Sequence, residues 1–181
     1  MRKLATFGLM VAMAWLGVVM LRAQEAGGPP KPGPENAKLG YFVGKWTAEG
    51  DLKASAYGPG GKFTYTEECE WLAGNFAIIC HSEGQMGGGT VKGVSIMSYD
   101  AGEGKYIYFE SNNMGENTYS KGTLNGDTWT WSNEEQMGGK TIHGRFTLTR
   151  LNDDSASYKF ELGPAVDSLA LIMEGKQTRV K

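Results

Sequence analysis

Two cysteines, two histidines, an inward-facing glutamate and three methionines beside glycines have the chemistry to do more than pack in this 181-residue chain. Cys69 and Cys80 flank a turn centred on Gly74-Asn75. Pairing residue 73 with 76 sets 69 opposite 80, where Cβ atoms fall about 4.5 to 5.5 Å apart. In an exported chain such a pair is expected to be joined, and so short a loop contributes roughly 2 to 3 kcal/mol. The competing reading, a catalytic thiol, lacks a base on the facing strand. The same register turns Phe63, Tyr65, Glu67, Cys69, Trp71, Ile78, Cys80 and Ser82 inward and places Glu68 across from His81 on the outer face. Glu67, beside Ser82, is the polar side chain expected to meet a ligand; the alternative is a solvated acid near a rim.

His143 depends on one turn. If Gly138-Gly139 is a two-residue hairpin turn, Trp131 pairs with Phe146, Trp129 with Leu148, and His143 points out. If Met137 joins the loop, the register slips by one and His143 points in. The first arrangement keeps the apolar faces together and is preferred. Met86, Met114 and Met137 each precede a glycine in a predicted loop. Their flexible thioethers suit either a lip over an apolar guest or a cap that sheds water from the core. Tyr65, Glu67, Ser82, Met86, Met114, Trp129, Trp131 and Met137 are therefore the expected ligand-binding set, with no metal site and no catalytic residue assigned.

The elements that must position these residues are strands. Phe63, Tyr65, Cys69 and Trp71 alternate with Thr64, Thr66, Glu68 and Glu70, and similar alternation runs through Trp129-Trp131, Ile142 to Leu148 and Tyr158 to Leu162. Ten strands are expected between Trp46 and Val180, separated by Gly, Asn and Asp. Short connections favour an up-and-down antiparallel β-barrel, closed so that no edge remains, with a short plug helix before Trp46. Alternate connections then lie at opposite ends. The three methionine loops, Tyr57 to Gly61 and Gly163-Pro164 collect at a mouth, while the compact turns and the plug collect at a floor.

Ahead of the barrel, Met1-Arg2-Lys3, the apolar run Leu4 to Leu21 and the small exit Arg22-Ala23 read as a signal peptide over 1-23; a retained anchor is the alternative. Residues 24-34, rich in Pro and Gly, read as a linker, and 35-181 as one domain with a single core. The expected location is the periplasm or the extracellular space. Taking Arg2, Lys3 and Arg22 from the 18 basic residues leaves 15 against 20 acidic, a net charge of -5 without a basic stripe. This excludes a nucleic-acid footprint. After leader cleavage no stable membrane span is expected, and the oligomeric state is not fixed by the sequence.

No nucleophile elbow, phosphate-cradling loop or zinc spacing is present, which leans the reading away from an enzyme without excluding acid-base work by Tyr, Trp or Glu in a cavity. Gly44-Lys45-Trp46 after a helical turn resembles the Gly-x-Trp signature of lipocalins and other calycins. The succession Phe42 to Trp46, Tyr99-Asp100, Lys121-Gly122-Thr123 and Asn125 to Trp129 resembles a secreted bacterial domain-of-unknown-function family of lipocalin-like build. That resemblance implies fold and export. The Gly-x-Trp resemblance implies an arginine stacked on the tryptophan at the barrel floor, for which Arg179 is the candidate, because the last strand must close on the first. A strand count of ten brings nitrobindin-like barrels and haem into view, but those need an inward histidine. The expectation is an exported calycin-like barrel that binds a small apolar molecule without a cofactor, with a haem or nitric-oxide binder, a cavity enzyme or a structural module as alternatives.

Overall fold

The computed structural model describes residues 30–181, so the leader at 1-23 and most of the linker lie outside the described residues. A short helix α1 (Pro34–Lys38) and a 3-10 turn (Leu39–Tyr41) enter ten strands. These are β1 (Gly44–Leu52), β2 (Gly61–Trp71), β3 (Ala77–Met86), β4 (Gly89–Asp100), β5 (Lys105–Asn112), β6 (Asn117–Asn125), β7 (Thr128–Met137), β8 (Lys140–Asn152), β9 (Ser155–Gly163) and β10 (Ala170–Arg179). Each strand pairs antiparallel with its sequence neighbour, and β1 pairs with β10, so the sheet closes into an up-and-down barrel. Among the described residues no helix is long and apolar enough to cross a membrane.

The register follows the two-residue side-chain period. Glu67 faces Ser82, Glu68 faces His81, and Cys69 faces Cys80. Trp131 faces Phe146 and Trp129 faces Leu148, so the hairpin turn is Gly138-Gly139 and His143 points outward, where its Nδ1 lies 3.4 Å from Glu134. Both turn glycines have left-handed φ, 58° and 76°, the geometry that matches a tight hairpin to strand twist.

Three details depart from the sequence expectation. Gly87-Gly88 also makes a two-residue turn, so Met86 and Met137 end strands rather than sitting in loops; Met114 alone of the three is in a loop. β1 ends at Leu52, earlier than expected, and its chain leaves through an isolated Ser55–Gly58 bridge. β10 begins at Ala170, later than expected, because Gly163 and Pro164 open a longer connection in which Ser168 N–H closes a turn on the Ala165 carbonyl at 3.0 Å.

The core is graded along the barrel. At the floor Leu39, Phe42, Trp46, Cys69, Ile78, Cys80, Met97, Trp129, Leu148 and Ala156 are all buried. Asn36 anchors the plug, donating from Nδ2 to the Phe76 carbonyl at 2.9 Å while its Oδ1 accepts the Gly33 N–H. Towards the mouth the inward side chains Tyr65, Glu67, Ser82, Tyr108, Glu110, Asn133, Glu135, Phe146 and Phe160 are only half-buried.

Candidate functional site

The floor is a clamp built on Trp46 and Arg179, which are directly paired between β1 and β10. The Arg179 guanidinium lies 4.2 Å from the centre of the Trp46 ring. Its Nη1 donates to the Val43 carbonyl at 2.5 Å and its Nη2 to the Tyr41 carbonyl at 2.8 Å, filling acceptors left open where the plug ends. Gly44 has a φ of 110°, and a Cβ there would stand 2.9 Å from Nη1. The glycine of Gly44-Lys45-Trp46 thus both turns the chain and admits the arginine. Trp46 donates from Nε1 to the Phe42 carbonyl at 2.9 Å. This end is sealed.

Above the floor, rings form an arc. Tyr65 meets Tyr158 at 6.4 Å between centroids, Tyr158 meets Phe146 at 5.8 Å, Phe146 meets Trp131 at 6.2 Å, and Trp131 meets Tyr108 at 6.4 Å. These side chains come from β2, β9, β8, β7 and β5. Inward glycines on neighbouring strands make room for them: a Cβ at Gly122 would stand 2.5 Å from Trp131, and one at Gly175 would stand 2.6 Å from the Tyr158 hydroxyl.

The remaining arc, β2 to β5, is polar. Glu67, Ser82, Ser95 and Glu110 occupy inward positions there, and the Tyr108 hydroxyl donates to Glu110. Gly93 leaves the gap in which they converge, since a Cβ there would stand 3.1 Å from Ser82 Oγ and 3.2 Å from Glu110 Oε1. Burial, and then the charge of Glu110, push the Glu67 carboxyl up to about 7. Burial is also the main cause that holds the Tyr65 and Tyr108 hydroxyls well above the usual phenol range. Among the described residues three buried side-chain polar atoms have no partner: Ser95 Oγ, Trp129 Nε1 and Trp131 Nε1.

Of the expected ligand-lining residues, Tyr65, Glu67, Ser82 and Trp131 lie on this belt. Trp129 is lower, packed on Tyr41 at 5.5 Å and Phe42 at 5.1 Å. Met86, Met114 and Met137 are at the mouth and exposed. Cys69 and Cys80 are joined. Both histidines face out, so neither reaches the lumen. Glu110, Tyr108, Ser95, Tyr158 and Phe146 were not singled out from the sequence. Carrying the β2–β3 register on through Ser82–Gly93 and Ser95–Glu110 would have found the first three. A concavity of about 800 Å³ also opens on the outer wall, lined partly by Asp51, Lys62, Lys159, Glu174 and Lys176, but these opposed charges face solvent outside the barrel.

The chain is thus a closed up-and-down antiparallel barrel with a plugged, arginine-clamped floor and a belt of rings and carboxyls above it. The chain belongs to the family described as Protein of unknown function (DUF1579), matched over residues 31–179. It is similar in structure to Rv2717c from M. tuberculosis, at a TM-score of 0.58 and 11% identity, over 83% of this chain and 100% of that one. It is also similar to the S-type phycobiliprotein lyase CPES from Guillardia theta, at a TM-score of 0.57 and 13% identity, over 81% and 93%. At such identities the likeness shows the fold. No curated protein matches the chain in sequence.

Proposed function

We propose that this protein is an exported barrel that holds a small, largely apolar molecule in its upper lumen. The observation that carries the reading is the contrast along the axis: a floor sealed by the plug and Arg179, and above it a ring arc, buried at Trp131 and Tyr158 but only half-buried at Tyr65, Phe146 and Tyr108, with unpartnered polar atoms at Ser95 and Trp131. Aromatic walls with a few convergent polar groups are the usual make-up of a small-molecule site. Export is supported by the leader pattern and by the Cys69–Cys80 bond, which belongs to oxidising compartments. The similar barrel named a phycobiliprotein lyase supports the notion that this architecture handles small molecules, without identifying one here. Entry requires the ring arc to part towards the mouth, where Gly87-Gly88 and Gly138-Gly139 flank Met86 and Met137.

One observation favours a second reading. A carboxyl held near neutrality beside another carboxylate is suited to general acid-base catalysis, so Glu67 and Glu110 could act on a bound guest. Native mass spectrometry of protein purified from its own host tests the first reading: one small additional mass, released on unfolding, is expected. A guest recovered chemically altered after incubation would favour the enzyme, and a protein bare under every gentle condition would overturn the first reading and leave an enzyme and a structural module level.

A further inference from the structure

The polarity of the lumen carries a statement about the guest. Between the floor and the rim hairpins, the inward strand positions of the described residues hold three carboxylates, Glu67, Glu110 and Glu135, and no lysine or arginine. The two arginines at inward register, Arg150 and Arg179, are spent at the floor: Arg150 lies 5.2 Å from the Tyr41 ring centre and Arg179 lies over Trp46. Glu135 is already engaged, accepting from Asn133 Nδ2 at 2.6 Å and Thr118 Oγ1 at 3.4 Å. Glu67 and Glu110 are not so neutralised. A single phenol hydroxyl, that of Tyr108, donates to Glu110, and burial together with the charge of Glu110 disfavours ionisation of Glu67.

Independently, Ser95 points at the same place. It is 4% exposed, its Oγ has no partner, and it stands directly across from Glu110 at an inward position. A hydroxyl in that state can accept a hydrogen bond from a donor-rich guest. Opposite this polar arc stand the rings of Tyr158, Phe146 and Trp131, with Tyr65 and Tyr108 at its two edges, and ring faces attract cations. An anion would meet two carboxylates and no cation, which is prohibitive in a desolvated site.

Resting on the lumen-binding reading above, we propose that the guest is a lipophilic amine, bound as the ammonium ion between Glu67 and Glu110 with its apolar body along the ring arc. An ammonium supplies three donors, matching the two carboxylates and Ser95 Oγ. A fatty acid or other amphiphilic anion is the wrong sign for this cavity.

The test uses the full-length exported protein and three probes sharing one body: octylamine, octanol and octanoate, titrated calorimetrically at neutral pH. Octylamine is expected to bind on the order of tenfold or more tighter than octanol, with octanoate weakest, since a charge-assisted contact in a dry site is worth that much. In a Glu67→Gln, Glu110→Gln double variant the amine should fall to the level of the alcohol while octanol binding persists, which also reports that the variant is folded. Equal affinities for amine and alcohol in the wild type would overturn the amine proposal and leave the apolar lumen standing. Tighter binding of octanoate would overturn the proposal as well. No heat from any probe would remove the lumen-binding reading and this proposal together.

Discussion

Replacing Arg179 by alanine should lower stability by about 3 to 4 kcal/mol. The side chain is 25% exposed and donates to two backbone carbonyls, Val43 and Tyr41, at 2.5 and 2.8 Å. Hydrogen bonds from a charged donor contribute about 1.5 kcal/mol each at the low end of their range. The ring contact at 4.2 Å adds about 1 kcal/mol for a partly desolvated site. The Asp154 contact, at 3.5 Å with Asp154 43% exposed, adds little. For a domain of this size the loss corresponds to a fall in Tm of roughly 6 to 16 °C. Urea titrations of wild type, Arg179→Ala, Trp46→Leu and the double variant give the coupling between the two side chains, which should be at least about 0.5 kcal/mol. Arg179→Lys should recover less than half, because a point ammonium cannot reach both carbonyls as the planar fork does. An Arg179→Ala midpoint within about 0.5 kcal/mol of wild type, or strict additivity with Trp46→Leu, would refute the clamp.

Three further outcomes follow from the same geometry. Glu67 has a folded-state value near 7 against an ordinary 4.5, so the native state holds the proton longer than the unfolded chain. Stability from this residue is full below pH 4.5 and falls as pH rises towards 7, by at most about 3 kcal/mol; Glu67→Gln should flatten that part of the profile, and an unchanged profile would show that the carboxyl is solvated. Thiol titration of unreduced, unfolded protein from the exporting host should find no free thiol, and a Cys69→Ala, Cys80→Ala variant should lose roughly 2 to 3 kcal/mol in denaturant melts. N-terminal sequencing of the host protein should begin at Gln24, or at Gly27 if cleavage follows Ala26; a blocked or intact Met1 would mean that the apolar segment is retained.

The barrel was legible because alternation in β2, β7, β8 and β9 is clean and short Gly-rich turns fix its direction. One hairpin register, set by keeping Trp131 against Phe146, was enough to turn His143 outward. The polar arc was harder to read. In Tyr106-Ile107-Tyr108-Phe109 both faces of β5 are apolar, and Phe109 is in fact exposed beside exposed Ile96 and Tyr119, so the inward direction of Glu110 is invisible without its neighbours. Ser95 and Gly93 carry no signal of their own. They matter only because β4 stands between Ser82 and Glu110. The methionines were placed at the correct end, but strand termini and loops differ by whether two glycines can close a turn alone, and Gly87-Gly88 can.

The most direct test of lumen binding is the N–H spectrum, indole and backbone amide, of nitrogen-15-labelled protein titrated with the neutral apolar probe N-phenyl-1-naphthylamine. Trp131 Nε1 is buried and unpartnered on the ring arc, whereas Trp46 Nε1 is tied to the Phe42 carbonyl at 2.9 Å beneath the sealed floor. Lumen binding predicts a saturable one-to-one shift of the Trp131 signal with that of Trp46 unmoved. Saturable binding that leaves Trp131 in place, or moves only outward-facing residues such as Thr147 and Lys159, would contradict it.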